Sequence, residues 1–167
     1  SSVPVRCFMD RDSRRRPTLA QVQVAILDDY QNVAMEMADW TGVADRADVT
    51  VFNDHIADPD ELVDRLSPFD VVFVMRERTP LPRTIIERLP RLKMIASTGP
   101  FNASIDMAAA EEHGIHVGTT GGTVASTVEL TWALILGAAR GIVAESLAVR
   151  GDGWQTAVGR ELAGRTL

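Results

Sequence analysis

The feature that most constrains the fold is a series of short apolar segments separated by helical patterns. The clearest segment, residues 70–75, is apolar at every position after its opening aspartate. A strand without polar alternation is buried on both faces, as in parallel sheets that helices cover. Four further short segments end at polar residues or glycine, at residues 22–27, 49–52, 92–96 and 115–117. The alternation predicts a doubly wound α/β fold with five parallel strands in the order 2-1-3-4-5.

Three helix signals lie between these segments. Asp58 followed by Pro59 and two acidic residues predicts a helix that begins at Pro59, because an aspartate cap and early negative charge suit a helix N-terminus. Residues 81–89 predict a second helix, which the next proline ends. A third helix is predicted over residues 107–113, after a cap at Asp106 and before a terminating glycine.

Residues 124–146 form a long helical pattern with an apolar middle. The longest uninterrupted run of apolar residues and glycine, residues 132–139, is shorter than the roughly 20 residues that span a bilayer, so no membrane partner is expected. A helix that is apolar nearly all round needs protein on most of its sides. We therefore expect another domain, or a second copy of the chain in a homodimer, to cover this helix.

The charge of the chain is unevenly distributed. The net charge is −6, yet residues 1–20 contain five arginines and two aspartates. Such a terminal block is typical of a flexible basic tail. The remainder is acidic and would repel a phosphate backbone, so no nucleic-acid partner is expected. We predict a tail over residues 1–20, a sheet domain over residues 21–123, and an interdomain helix with the lead-in to a further domain over residues 124–167.

The cysteine and histidine content limits the metal and redox chemistry. A single cysteine, Cys7, excludes an internal disulfide framework and a multi-cysteine zinc site. Together with the missing apolar stretch of a secretory signal, it favours a cytoplasmic location. The histidines, His55, His113 and His116, lack the spacing of metal ligands, so we predict no metal site and assign none of them to catalysis.

Charged and glycine-containing segments follow two of the predicted strands. In open α/β sheets, ligands bind beyond the carboxyl ends of the strands. Arg76 and Arg78 follow the third strand, where they would pair with a substrate carboxylate or with Glu77 inside the loop. Gly99 follows the fourth strand, in a loop whose backbone N–H groups could hold an anion, although an ordinary turn explains one glycine as well.

Asp28 and Asp29 follow the first strand, at the same edge of the sheet. Adjacent carboxylates there could hold Mg²⁺, as in a phosphoacceptor receiver domain. That function also needs an acceptor aspartate at the end of the third strand, where this chain has Met75 and Arg76. We therefore predict that the two aspartates form a turn or a helix cap.

Several motifs occur together along the second half of the chain. They are residues 92–96 with the following Thr98 and Gly99, residues 106–117, residues 127–130, and residues 153–167. In combination, they resemble the N-terminal half of the D-isomer-specific 2-hydroxyacid dehydrogenases. The resemblance covers residues 22–167 and implies a flavodoxin-like substrate-binding domain with a long C-terminal crossover helix. It also implies a truncated enzyme, whose chain ends before the Rossmann fingerprint of the cofactor domain.

This family transfers a hydride between NAD or NADP, which supplies the redox chemistry, and a 2-hydroxy or 2-keto acid. The resemblance therefore implies the substrate-binding half of such an oxidoreductase, with a small 2-hydroxy or 2-keto acid as its partner. No residue of this chain matches the family's glycine fingerprint, substrate-carboxylate arginine or catalytic histidine. We assign no catalytic residue and expect the chain alone to be inactive.

The resemblance also assigns the residues that would line the substrate. The matching positions are Arg76, Glu77, Arg78, Gly99, Phe101 and Asn102, with Thr127 near the nicotinamide of the cofactor. The chain departs from the family at Pro100, which has no N–H, and at Phe101, where glycine is common. That departure supports an alternative, a non-catalytic small-molecule-binding or regulatory module with the same fold.

Overall fold

The computed structural model of the chain describes residues 5–6 and 21–166. The chain divides into two compact units, Ser1–Gly122 and Thr123–Leu167. The division falls one residue before the predicted start of the interdomain helix. The identity of the second unit as the lead-in to a further domain stays a prediction.

The first unit is built on a six-stranded sheet with the order β1-β3-β2-β4-β5-β6. All five predicted strands are present, they are parallel, and their order 2-1-3-4-5 is confirmed. The strands are β1 Val5–Arg6, β2 Val22–Ile26, β3 Ala47–Val51, β4 Val71–Val74, β5 Met94–Ser97 and β6 His116–Thr119.

Strand β1 is an addition that sequence reasoning missed. Two residues of the predicted tail pair antiparallel with β3, with Val5 opposite Val51 and Arg6 opposite Thr50. Without β1, strand β3 would present unpaired N–H and C=O groups along the sheet edge, which a further strand can satisfy. The other residues of the predicted tail, including Cys7, lie outside the described residues.

Four helices connect the strands: α1 Thr41–Ala44, α2 Pro59–Leu66, α3 Arg83–Ile86 and α4 Met107–Glu112. Helix α2 begins at Pro59 as predicted, and the Asp58 carboxylate accepts hydrogen bonds from two N–H groups of its first turn. Helix α3 ends at Ile86, before the predicted residue 89. The N–H groups of Arg88 and Leu89 bond three residues back, so the chain tightens before Pro90. A proline disfavours helical backbone at the residue before it.

The core lies on both faces of the sheet, as the unbroken apolar run in β4 predicts. Val72 and Val74 have no exposed surface and belong to the larger hydrophobic cluster, which includes residues of α2, α3 and α4. Phe73 points to the opposite face, where it packs against a smaller cluster around Ile26. Burial on both faces fixes the sheet and thereby the positions of the loops at its carboxyl edge.

The prediction of one helix over residues 124–146 is wrong, because the second unit has two helices there. It contains a long helix, α5 Ala125–Arg140, followed by a separate helix, α6 Ile142–Arg150. Gly141 lies between them with a φ of 66°, and the two helices bend by 62° there. A glycine in the left-handed region is a common helix terminator, because it has no side chain to oppose that backbone.

The helices of the second unit bury none of their residues. Exposed apolar side chains include Leu130, Trp132 and Leu134 on α5. Among the described residues, no helix on its own combines the length and apolar content for crossing a bilayer, although the bent pair α5 and α6 reaches both when taken together.

Candidate functional site

The candidate site lies where parallel strands β2, β4 and β5 end at the same edge of the sheet. Three segments lie at the ends of these strands, residues 28–30, 76–79 and 97–104, the last of which includes the final residue of β5, and we call them together the rim. Six of the predicted ligand residues lie in the second and third of these segments. Hydrogen bonds from side chains tie all three segments together.

Arg76 and Gly99 lie against each other at the rim. Arg76 has a φ of 57°, and its backbone N–H donates to the Thr98 hydroxyl at 2.9 Å. Its guanidinium occupies the space that a Cβ atom on Gly99 would need. Gly99 itself has a φ of 87°, a conformation that side chains other than glycine rarely adopt. Gly99 therefore suits this position in two ways, because it adopts this backbone angle and because an added Cβ would displace the Arg76 guanidinium.

The Arg76 side chain remains available to a ligand. It is 57% exposed, and its Nε lies 3.5 Å from the Glu77 carboxylate, whose side chain is 42% exposed. An exposed ion pair of this kind contributes little to stability, because water and salt screen both charges. A carboxylate ligand could therefore compete with Glu77 for the guanidinium.

Backbone amides in the loop that contains Gly99 form a second group of donors. Gly99 N–H is already used, because it donates to the Thr120 hydroxyl at 2.8 Å. In the described part of the chain, the N–H groups of Phe101, Asn102 and Ala103 donate no hydrogen bond. Phe101 leaves 69% of its surface exposed beside them. The loop thus combines unengaged donors with one large apolar side chain.

Asn102 holds the two loops together. Its amide nitrogen donates to the Arg76 carbonyl at 2.7 Å and to the Ser97 hydroxyl at 3.0 Å. Its amide oxygen accepts from the Ser104 N–H at 2.9 Å and from the Ser104 hydroxyl at 2.6 Å. Both donors and both acceptor sites are occupied, so the buried side chain has none left for a ligand. The Asn102 side chain is therefore a structural link between the two loops, and the ligand contact that the resemblance implies falls to the backbone N–H of this residue.

Arg78 is engaged within the rim. Its guanidinium donates to the Asp28 carbonyl at 2.6 Å and lies 4.8 Å from the centre of the Tyr30 ring. The contact with the ring is a cation–π interaction. Arg78 therefore links the end of β2 with the end of β4, whereas Arg76 keeps its guanidinium exposed.

The two aspartates after β2 are buried and have different partners. Asp29 accepts hydrogen bonds from the N–H groups of Val33 and Ala34, which confirms the predicted turn for this residue. Asp28 instead accepts from the Thr79 hydroxyl at 2.6 Å, and His55 Nδ1 lies 2.9 Å from its other oxygen. Sequence reasoning missed the link to His55, because the two residues follow different strands and only the fold brings them together.

Tyr30 completes the surroundings of Asp28. Its hydroxyl lies 3.3 Å from the Asp28 carboxylate and donates to it. Partial burial raises the pKa of the Tyr30 phenol, and the Asp28 charge raises it further. Within residues 5–6 and 21–166, no three His, Cys, Asp or Glu side chains come together as a set of metal ligands.

Thr127 is the remaining predicted site residue. It lies on α5 in the second unit and is exposed, and its backbone carbonyl accepts from the Thr131 hydroxyl at 2.7 Å. Its predicted place near the nicotinamide stays a prediction.

Comparisons with known proteins match the sequence to one family. The family profile described as D-isomer specific 2-hydroxyacid dehydrogenase, catalytic domain, matches residues 24–164. Hydroxypyruvate reductase from Thermotoga maritima is 30% identical over 152 residues, which are 89% of this chain and 47% of that protein. Glyoxylate reductase from Aeropyrum pernix is 37% identical over 93 residues, which are 50% of this chain and 28% of that protein. The chain spans less than half the length of these relatives.

Solved structures agree with this fold. A phosphoglycerate oxidoreductase from Vibrio cholerae is 37% identical, with a TM-score of 0.79, over 87% of this chain and 47% of that chain. A putative D-3-phosphoglycerate dehydrogenase from Ralstonia solanacearum is 31% identical, with a TM-score of 0.73, over 81% of this chain and 40% of that chain.

Proposed function

Because the chain belongs to the D-isomer specific 2-hydroxyacid dehydrogenase family, we propose that its rim binds the acid substrate of a hydride transfer with NAD or NADP. The substrate is a small 2-hydroxy or 2-keto acid. The observation that carries the proposal is the exposed Arg76 guanidinium held over Gly99, in a loop where three further backbone amides donate no bond within the described residues. One cation and several N–H donors are what a carboxylate with an adjacent oxygen requires.

Each rim residue has a distinct part in this proposal. Arg76 pairs with the substrate carboxylate, and Glu77 competes for the same guanidinium when no acid is bound. The amides of residues 101–103 donate to the acid, while Phe101 limits the size of its side chain. Gly99 and Asn102 hold this arrangement in place, through the contacts described above.

Binding of the cofactor requires residues that this chain does not contain. A dinucleotide pyrophosphate is bound by a Gly-x-Gly-x-x-Gly turn that leads into a helix. The 167 residues contain no such segment, and Thr127 is the one position assigned near the nicotinamide. Because the fit is incomplete, we derive no step through the cofactor. We propose instead that the isolated chain binds the acid without reducing it.

Calorimetry with glyoxylate tests the acid site. We expect the full 167-residue chain to bind glyoxylate, and Arg76→Ala to weaken the affinity by about tenfold, the usual scale for losing one charge-assisted hydrogen bond. Arg88→Ala is the matched control, because Arg88 is also partly exposed and pairs with Asp60, away from the rim. Equal affinities in the two variants, or no binding by the parent chain, would contradict the proposal.

An NADH oxidation assay addresses the whole reaction. We expect the chain to show no oxidation of NADH that depends on a 2-keto acid. Measurable turnover would overturn the proposed inactivity and would support a complete active site.

A non-catalytic binding or regulatory module is the second candidate function. The favouring observation is Pro100, which removes one N–H, together with the exposed Phe101. Binding of an apolar small molecule without a carboxylate, at an affinity that Arg76→Ala leaves unchanged, would support this module. Binding confined to 2-hydroxy and 2-keto acids, and weakened by Arg76→Ala, would support the enzyme instead.

We further propose a homodimer and a cytoplasmic location for the protein. The homodimer is supported by the exposed apolar side chains of α5, because large exposed apolar patches commonly mark an interface. Light scattering tests it, and a strictly monomeric species at high concentration would contradict it.

A further inference from the structure

Asp28 is a buried carboxylate that the proposed ligand site does not use. It is 1% exposed at the end of β2, and its partners come from three places in the chain. The Thr79 hydroxyl donates from the loop after β4, the Tyr30 hydroxyl from the next turn, and His55 Nδ1 faces it from the segment after β3. Asp28 therefore joins the carboxyl ends of three neighbouring strands.

The same residue holds the rim through its backbone. The Asp28 carbonyl accepts from the Arg78 guanidinium at 2.6 Å. The backbone of Asp28 thus holds Arg78, and its side chain holds Thr79. At the other end of that loop, Asn102 donates to the Arg76 carbonyl at 2.7 Å. The loop that carries Arg76 is thus fixed at both of its ends.

The backbone of the rim is in an uncommon conformation at two of these positions. Asp28 and Arg76 both have a φ of 57°, in the left-handed region that residues with a side chain rarely occupy. Such a conformation persists when the surrounding contacts determine it more strongly than the local preference does. The hydrogen bonds of Asp28 and Asn102, at either end of the loop, hold the backbone in this conformation.

The Asp28 side chain also has a defined partner in His55. A buried polar group is costly unless hydrogen bonds compensate its loss of water. His55 Nδ1 lies 2.9 Å from one oxygen of the Asp28 carboxyl group. The His55 side chain remains 37% exposed. His55 therefore contacts the buried group without itself leaving water.

We propose that Asp28, with His55 as one of its contacts, is a positioning residue for the ligand loop of residues 76–79. It acts through Thr79 and Arg78 and does not touch the ligand. The inference rests on the proposed function only in naming what the loop holds, namely Arg76 presented to an acid. Its physical content is that the Asp28 contacts restrict the loop backbone before any ligand arrives.

A pair of substitutions at Thr79 separates positioning from packing. Thr79→Val keeps the shape of the side chain and removes the hydroxyl that donates to Asp28, whereas Thr79→Ser keeps the hydroxyl. Asp70→Asn is the matched control. It disturbs another buried aspartate, which accepts from the backbone N–H of Gln23 at the start of β2, the opposite end of that strand.

Two readouts are measured on the full 167-residue chain and its variants. The first is amide hydrogen exchange at Arg76 and Arg78, whose N–H groups are hydrogen-bonded to Thr98 and Met75. The second is the affinity for glyoxylate. We expect Thr79→Val to speed exchange and to weaken glyoxylate binding, each by about tenfold, as for one lost hydrogen bond to a buried polar group. Thr79→Ser should stay within about twofold of the parent.

The outcomes distinguish this inference from the proposed function. Unchanged exchange in Thr79→Val, or an equal change in Asp70→Asn, would overturn the positioning role. If the parent chain fails to bind glyoxylate, the proposed function fails, and the exchange comparison still decides the role of Asp28. If Thr79→Val does not fold, His55→Gln takes its place, because His55 is partly exposed, and faster exchange at Arg76 is again the expected result.

Discussion

The two ends of the sheet each contain a buried aspartate, and the two carboxylates are held in different ways. Asp70, at the amino end of β4, accepts from the N–H of Gln23 and from the side chains of Lys93 and Arg91. Both cations remain largely exposed, at 76% and 55%. Asp28, at the carboxyl end of β2, has hydroxyl donors and one histidine instead.

The difference shows how one sheet serves two purposes. At the amino end, Asp70 accepts hydrogen bonds from the neighbouring cations. It thereby joins the beginnings of β2, β4 and β5 and stabilises the sheet. At the carboxyl end, the exposed Arg76 guanidinium has only Glu77 as its ion-pair partner among the described residues. The amino end is expected to tolerate changes without effect on ligand binding, whereas changes at the rim should affect binding.

The largest effect is expected from Gly99→Ala, at the carboxyl end. Alanine would meet both a φ of 87° and the Arg76 guanidinium packed over the glycine. We expect a loss of about 2 kcal/mol in the free energy of unfolding, the usual cost of such backbone strain, together with loss of glyoxylate binding. Chemical denaturation and calorimetry measure the two quantities.

Gly114→Ala is the control for that substitution. Gly114 also has a positive φ, 67°, but nothing lies within 4 Å of the position of its Cβ. The Gly114→Ala variant should lose about 1 kcal/mol in the free energy of unfolding, because of backbone strain. It should keep the affinity of the parent chain for glyoxylate. Equal losses of affinity in the two variants would show that strain, and not the displaced arginine, explains the result.

Asp70→Asn, at the amino end, is expected to lower stability by about 1–3 kcal/mol without weakening glyoxylate binding. The hydrogen bond from the Gln23 N–H, together with Lys93 and Arg91, holds the pKa of Asp70 below its ordinary value. A lowered pKa in the folded state contributes stability above the unfolded pKa, and that contribution is lost as the pH falls through the folded pKa.

The parent chain and Asp70→Asn should therefore converge in stability as the pH is lowered below the unfolded aspartate value of about 3.9. Denaturation curves at several pH values measure this difference. A difference that grows on acidification would contradict the charge network at the amino end.

The smallest effect is expected in the titration of Tyr30, the only tyrosine of the chain, when Asp28 is replaced by asparagine. Burial and the Asp28 charge raise the pKa of its phenol. Asp28→Asn removes the charge, so the phenol should titrate at a lower pH than in the parent, while the contribution of burial remains. Ultraviolet absorbance against pH reports this residue alone. An unchanged titration would contradict the contact between Tyr30 and Asp28.

Much of the fold could be predicted from local patterns. The apolar run of β4 indicated burial on both faces, and the Asp58–Pro59 signal located the start of α2, because both depend on neighbouring residues only. Strand β1 could not be predicted, since its pairing depends on the exposed edge of β3. The break after α5 was missed, because a single glycine at position 141 is compatible with a continuing helix until its φ is known.

The site was predictable in its location but not in its connections. Strand ends followed by Arg76 and Gly99 indicated the rim, and the resemblance selected the same loops. Nothing in the sequence showed that Asn102 would use all its hydrogen-bonding capacity within the protein. Likewise, the approach of His55 to Asp28 joins residues 27 positions apart, which only the strand order brings together.

The carboxyl end of the sheet is proposed to bind a small acid, whereas the amino end serves the fold. Titration of the isotope-labelled chain with glyoxylate, monitored by amide chemical shifts, distinguishes the two ends in one experiment. We expect shifts at residues 76–79 and 99–104, the largest at the amides of residues 101–103, and none around Gln23, Asp70 and Lys93. Shifts centred on Asp70, or no shifts at the rim at saturating glyoxylate, would contradict it.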